Sequence, residues 1–273
     1  MTALASDSPS LAETTEVQII GHVLAAELRR ALRAGGHRAA VISSCLLGVT
    51  GAGVGLLILT ALGPQVTRDL GHTLPAEVGA SLAAMVFAIA ISVSVARENT
   101  SGLVATSLVL VPRRGRLFGA RWVAVAIIGA LSAAVSSTTG HVLSSLVLGM
   151  RAHAALIATI GVVTSTLAAA SVISLVFFGA SLAKNVAASS LVTVAVLLGA
   201  PLVLGIAQGI PGLNGVAGGL NAILPTTLFS AATTIAAPAL LALGPLALAQ
   251  LGLATWAALA GLASWARFRR SDI

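Results

Sequence analysis

Residues 77–121 decide the fold of this chain. They read EVGASLAAMVFAIAISVSVA, followed directly by RENTSGLVATSLVLVPRRGRLFGAR. The first part carries no charge between Glu77 and residue 96, and about 20 apolar residues are enough to cross about 30 Å of hydrocarbon as a helix. The second part contains five arginines, which membrane proteins concentrate on the cytoplasmic side of their spans. The stretch therefore predicts a membrane-spanning helix followed by a basic cytoplasmic segment.

The composition of the whole chain agrees with this prediction. Of its 273 residues, 57% are hydrophobic and only 8% are charged, and the mean hydropathy is +1.03. A soluble domain of this composition would lack the charged surface that keeps it in solution, whereas lipid-facing helices need none. The net charge of +7 does not indicate a nucleic-acid partner, because the arginines lie at the ends of apolar segments and aromatic residues for base stacking make up only 3%. We therefore expect the lipid bilayer, and no nucleic acid, as the surroundings of the chain.

Six apolar segments follow a polar N-terminus. Residues 1–16 are predicted to form a disordered cytoplasmic tail, and residues 17–273 a single transmembrane domain. The domain begins with an amphipathic helix over 17–36, whose apolar residues recur at helical spacing while Arg29 and Arg30 fall off that stripe, as expected of a helix lying along the cytoplasmic interface. The predicted fold is an all-α integral membrane protein with this interfacial helix and six transmembrane helices, at about 39–63, 77–96, 122–148, 154–178, 186–207 and 239–266.

The basic residues determine the orientation of the six spans. Thirteen of the fifteen lie on one side of this layout, whereas Arg68 and Arg151 lie on the other. The positive-inside rule therefore places both termini in the cytoplasm. Fourteen of the fifteen are arginine, which suggests a GC-rich bacterial genome and hence the bacterial cytoplasmic membrane. On the external side, residues 208–238 carry no charge and contain three prolines, so we expect short re-entrant helices between spans five and six.

The sequence offers little chemistry for an enzyme. The only lysine, Lys184, is followed by Asn185, which excludes the Gly-Lys-Ser/Thr motif of a P-loop, and the five histidines lack metal-ligand spacing. We therefore predict no catalytic, metal-binding or cofactor-binding residue in this chain. A polar stripe in the third span has two open interpretations, either hydrogen bonding between helices or the lining of a translocation path. Its members are Ser136, Ser137, Thr138, Thr139 and His141.

The segment after the second span resembles the cytoplasmic element that follows the second helix in type-2 ABC exporter permeases. In that family Glu, Gly, Thr and Leu lead into Pro, and basic residues follow before the third helix. The family often has Gly-Thr where this chain has Gly102-Leu103. The resemblance also covers the interfacial helix, the six spans and a Leu224-Pro225 pair in the external element. The residues that carry the motif are Glu98, Gly102, Thr106, Leu108, Pro112, Arg113, Arg114, Arg116 and Arg121.

The resemblance implies one half of the membrane part of an ATP-driven exporter. The chain would pair with a second permease, either a copy of itself or a paralogue, and with two separate ATPase chains that bind ATP and Mg²⁺. Residues 98–116 would form or flank the coupling helix that meets the ATPase, and the substrate would be hydrophobic or amphipathic. The alternatives are an autonomous protein, such as an ATP-independent secondary carrier or a membrane enzyme, and a non-transporting anchor or sensor subunit. The implied coupling residues are Glu98, Gly102, Thr106, Pro112, Arg113, Arg114 and Arg116.

Overall fold

The computed structural model describes residues 11–33, 35–62, 73–101, 114–149, 154–183, 185–234 and 243–270, and within these ranges the chain is helical between short turns, without a strand. We number the helices in chain order. They are α1 (Leu11–Arg33), α2 (Gly35–Ala61), α3 (Leu74–Thr100), α4 (Arg114–Leu148), α5 (Ala154–Leu182), α6 (Val186–Gln208, which contains one π turn at Ala195–Gly199), α7 (Asn214–Ala222), α8 (Pro225–Thr233) and α9 (Leu243–Arg270).

Six of these helices, α2 to α6 and α9, are long and apolar enough to cross a membrane. Backbone polar groups inside hydrocarbon must form hydrogen bonds within the protein. A helix meets this requirement by itself, so a continuous apolar run of sufficient length can cross the membrane as a helix. The prediction of an all-α, multi-pass membrane fold is confirmed, and the described residues contain six such helices, or seven if α7 and α8 together form one broken span.

The helices extend beyond the predicted spans. Helix α3 continues to Thr100 rather than ending near 96, and α4 begins at Arg114 rather than at 122. Hydropathy detects only the apolar part of a helix, whereas the backbone hydrogen bonds continue into the region where polar side chains are tolerated. The added turns carry Arg97, Glu98 and Arg116, and they are the turns that build the site described below.

Successive spanning helices run in alternate directions. The start of α2, the end of α3, the start of α4, the end of α5 and the end of α9 all line one cavity. We call this end of the bundle the basic end, because it carries Arg30, Arg121 and Arg267. The C-terminal half of α1 lines the same cavity, so the first and last helices both have a part at this end of the bundle.

Helices α2, α3 and α4 approach one another very closely. A Cβ atom added to Gly140 would lie 2.4 Å from Cα of Ala76, and one added to Gly79 would lie 2.8 Å from the carbonyl oxygen of Gly48. Between these helices, Ser44 Oγ lies 2.8 Å from the carbonyl oxygen of Ala83. Small residues with such hydrogen bonds are typical of helix interfaces in membranes, where packing replaces the hydrophobic effect. The three helices therefore form one closely packed unit.

Helix α5 packs against this unit and carries α9 on its other side. Its contacts include the buried Ile173 and Phe177, and Gln250 of α9 donates a hydrogen bond at 2.8 Å to the carbonyl oxygen of Thr164. Helix α6 touches the bundle mainly through α3, where Ser189 donates to the carbonyl oxygen of Ser92 at 3.1 Å. The rest of α6 exposes branched apolar side chains, as a lipid-facing helix does.

Helix α1 and the predicted external element complete the fold. Helix α1 begins at Leu11 and packs mainly against α4, and the disordered tail over residues 1–16 stays a prediction. The predicted external element contains α7 and α8, which meet at an angle of 68° and are together long enough to count as a broken span or a re-entrant loop. Pro225 starts α8, and Trp256 of α9 holds the junction by donating at 2.9 Å to the carbonyl oxygen of Ile223.

Candidate functional site

Four charged side chains form a closed network at the basic end, which we call the ion-pair ring: Glu27 and Arg30 of α1, Glu98 of α3 and Arg121 of α4. Glu98 accepts from Arg30 at 2.9 Å and lies 3.5 Å from Nη1 of Arg121. Glu27 lies 3.4 Å from Nη1 of Arg30 and 3.6 Å from Nε of Arg121. Each carboxylate therefore meets both guanidinium groups, and three helices are tied together by two pairs of opposite charges.

The ring is largely removed from solvent. The exposed fraction of the side chain is 11% for Arg121, 14% for Glu27, 20% for Glu98 and 32% for Arg30. Ion pairs in this setting are weakly screened by salt, and loss of one partner leaves the others with uncompensated charge. The ring therefore couples the positions of α1, α3 and α4 more strongly than a surface pair would.

Local sequence explains how the ring is assembled. Glu27 and Arg30 are three residues apart, so they lie on one face of α1. Glu98 lies in the last turns of α3, and Arg121 lies two turns into α4, where the helix starts to be apolar. The sequence predicts Arg30 on the polar, solvent side of an interfacial helix. The structure instead turns Arg30 toward α3, because α1 packs against α4.

The ring forms one wall of a cavity of about 450 Å³, which we call the basic-end cavity. Phe118, Phe177 and Phe268 form an aromatic wall, and Ser264 and Arg267 of α9 complete the lining. The guanidinium group of Arg267 donates to the carbonyl oxygen of Leu182 at the end of α5. The cavity thus combines paired charges, aromatic rings and one further cation.

An aromatic cluster holds the helices around this cavity. The ring centroid of Phe118 lies 5.6 Å from that of Phe177, 6.0 Å from that of Trp265 and 5.1 Å from that of Phe268. Such spacings lie in the range where aromatic pairs attract beyond their buried area. Trp122, one turn away on α4, donates at 2.8 Å to the hydroxyl of Ser174. The start of α4 is therefore fixed to both α5 and α9.

The structure describes only part of the predicted coupling segment. Glu98 lies in the ion-pair ring, Arg114 is the first residue of α4, and Arg116 lies in its first turn. Gly102, Thr106, Leu108, Pro112 and Arg113 lie outside the described residues. The resemblance motif thus includes two ring members, Glu98 and Arg121, but neither Glu27 nor Arg30. A signal for these two was present in the i, i+3 spacing of opposite charges on α1.

The five residues of the polar stripe on α4 face different surroundings. Ser136 is buried and donates to the carbonyl oxygen of Ser132 at 3.0 Å, and Thr139 donates to the carbonyl oxygen of Val135 at 2.8 Å. Ser137 and His141 are buried one turn apart, whereas Thr138 is exposed. None of the five lines the basic-end cavity. Two of the hydroxyls therefore bond to their own helix, and the lining of a path stays a prediction.

Among the described residues, no group of three or more His, Cys, Asp or Glu side chains could hold a metal ion. Comparison with known proteins adds no relative: no protein-family model matches the chain, and no curated protein matches it.

Proposed function

We propose that this chain is the permease subunit of an ATP-driven exporter, and that the ion-pair ring connects its ATPase-docking segment to the spanning helices. The observation that carries the proposal is the position of Glu98. This residue opens the motif that resembles type-2 ABC exporter permeases, and its carboxylate meets Arg30 of α1 and Arg121 of α4. A displacement of residues 98–116 by a docked ATPase would therefore pull on three helices at once.

The packing of the bundle supports transmission over a longer distance. Helices α2, α3 and α4 are in backbone contact near Gly79 and Gly140, toward the end opposite the ring. Packed helices of this kind move as rigid bodies rather than deform continuously. A force on Glu98 at one end would then reach the opposite end, where Glu77 of α3 accepts a hydrogen bond from Thr234 after α8 at 3.0 Å.

The proposal also includes an orientation in the membrane, partner chains and a class of substrate. The basic end faces the cytoplasm of a bacterium, α1 lies along the inner interface, and α7 with α8 forms a re-entrant element on the outer side. Two separate ATPase chains bind ATP and Mg²⁺, and a second permease, identical or paralogous, completes the complex. No acidic residue lies between the ends of any apolar segment in the sequence, so a hydrophobic or amphipathic substrate fits better than an ion.

Co-purification from host membranes tests the docking part of this proposal. Charge reversal of Arg113, Arg114 and Arg116 to Glu should weaken retention of an ATP-binding chain, and the difference from the wild type should shrink as the salt concentration rises, because salt screens the attraction that the reversal removes. Reversal of Arg68, on the predicted external side, is the matched control and should leave the complex intact. Full retention of the ATPase by the triple variant would show that the segment is only a topological anchor.

One observation favours a second candidate, a proton-coupled carrier. His141 is only 8% exposed within α4, and buried ionisable residues in spans are typical of proton paths. Such a carrier would transport in vesicles without ATP, and His141→Gln would abolish its response to a pH gradient. The exporter proposal expects transport to need ATP and to survive this substitution.

A further inference from the structure

The basic-end cavity has the size and lining of a ligand site. Its volume of about 450 Å³ lies within the range of about 300–1,000 Å³ that small-molecule sites occupy in proteins. The lining contains both charged side chains and aromatic rings, so the cavity suits a molecule that has a polar part and an apolar part.

The charges of the lining favour an anion. Within the ion-pair ring, two carboxylates and two guanidinium groups neutralise each other. Arg267 adds one more cation, and it donates to the carbonyl oxygen of Leu182, which does not neutralise it. Among the described residues that line the cavity, and with His37 counted as neutral, there are three arginines against two glutamates, a net charge of one positive unit.

A buried hydroxyl points to a ligand independently of the charges. Ser264 is 2% exposed, lines the cavity, and its Oγ has no hydrogen-bond partner among the described residues. Buried hydroxyls are normally paired, because an unsatisfied one loses the hydrogen bonds that it makes with water in the unfolded chain. Ser264 and Arg267 are three residues apart on α9 and so present a hydroxyl and a guanidinium on one face. This pair suits the oxygens of a phosphate or carboxylate.

The apolar part of the lining suits an apolar chain. Phe118 and Phe177 pack against each other there, and Val95, Ala124 and Val125 add aliphatic surface. We propose that the basic-end cavity binds one amphiphile with a single anionic head, held by Arg267 and Ser264, and an apolar chain that lies along these rings. The head is a phosphate or a carboxylate, supplied by a membrane phospholipid or by a free fatty acid. The inference is independent of ATP-driven export.

Native mass spectrometry of the delipidated full chain in a neutral detergent tests this site. The probes are phosphatidylglycerol, phosphatidylcholine, oleate and inorganic phosphate, each titrated separately. We expect one saturable molecule of phosphatidylglycerol or oleate, bound about tenfold more tightly than phosphatidylcholine, because the choline group would bring a second cation into a lining of net positive charge. Inorganic phosphate should bind weakly, because it leaves the aromatic wall empty.

Variants assign the binding to this cavity. Arg267→Gln should weaken the anionic amphiphile about tenfold, and Ser264→Leu should abolish binding by filling the space. Arg269→Gln is the matched control, because Arg269 is an exposed arginine on the same helix that does not line the cavity. If Ser264→Leu fails to fold, Arg267→Gln and Ser264→Ala, which should weaken binding about threefold or more, carry the test.

The titrations distinguish the two sources of the anionic head, a membrane phospholipid and a free fatty acid. Binding of phosphatidylglycerol that depends on Arg267 assigns the site to a membrane phospholipid. Binding of oleate alone with the same dependence assigns it to a free carboxylate. Equal binding of phosphatidylcholine and phosphatidylglycerol, or full affinity in both Arg267→Gln and Ser264→Leu, would overturn the proposal.

Discussion

Glu98→Gln is the most informative single change, because it removes one charge from the ion-pair ring while keeping the shape of the side chain. Glu98 accepts from Arg30 at 2.9 Å and lies 3.5 Å from Arg121, and its side chain is 20% exposed. Breaking a fully buried pair costs about 3–5 kcal/mol, whereas an exposed pair contributes about 0–1 kcal/mol. With one fifth of the side chain exposed, we expect the free energy of unfolding to fall by about 2 kcal/mol.

A double-mutant cycle isolates the interaction from other effects of the substitution. Unfolding in mixed micelles would be measured for the wild type, Glu98→Gln, Arg30→Gln and the double variant. Residues in one charge network show interaction energies of about 0.5–3 kcal/mol. The sum of the stability losses in the two single variants should therefore exceed the stability loss in the double variant. Arg29→Gln is the matched control, since Arg29 is exposed on the same helix and should change stability by less than about 0.5 kcal/mol.

The result that would refute this reasoning is additivity. If Glu98→Gln and Arg30→Gln add to within about 0.3 kcal/mol, the two side chains do not interact energetically and the ring does not couple α1 to α3. Equal losses of stability in Arg29→Gln and Arg30→Gln would also contradict the coupling of α1 to α3, because they would show that only the net charge of α1 matters.

Two further predictions concern topology and packing. In a Cys45→Ala background, Gly215→Cys should react with a membrane-impermeant thiol reagent on intact cells, whereas Arg269→Cys should react only after lysis, because the two positions are predicted on opposite sides of the membrane. The reverse labelling pattern would show the opposite topology. Gly140→Ala should lower the free energy of unfolding by about 1–3 kcal/mol, since its new Cβ would lie 2.4 Å from the backbone of α3. Gly119→Ala on the same helix meets nothing within 4 Å, so unfolding measured in parallel should show a neutral or slightly stabilising effect.

Much of the fold could be predicted because the bilayer imposes a simple rule on the sequence. Hydrocarbon thickness demands about 20 apolar residues for each span, and the segments that meet this demand became α2 to α6 and α9. Helix ends were less predictable. Arg114 and Thr100 are polar, so hydropathy excluded them, yet the backbone stays helical through both.

The site could be predicted only in part. A local motif led to Glu98 and Arg121, since both occur in the segment that resembles a family. The roles of Glu27 and Arg30 depend on how α1 packs on α4, which is a contact between distant parts of the chain that periodicity does not encode. The cavity depends further on α5 and α9, which contribute Phe177 and Arg267 from residues far away in sequence.

The central claim is that this chain moves its substrate through ATP hydrolysis by a separate protein. Its most direct test is ATP hydrolysis by the tagged chain purified from host membranes, measured before and after salt removes any associated chains. We predict hydrolysis by the complex, no hydrolysis by the stripped chain, and recovery when the removed ATPase is added back. Robust hydrolysis by the stripped chain, or transport that proceeds without ATP, would contradict it.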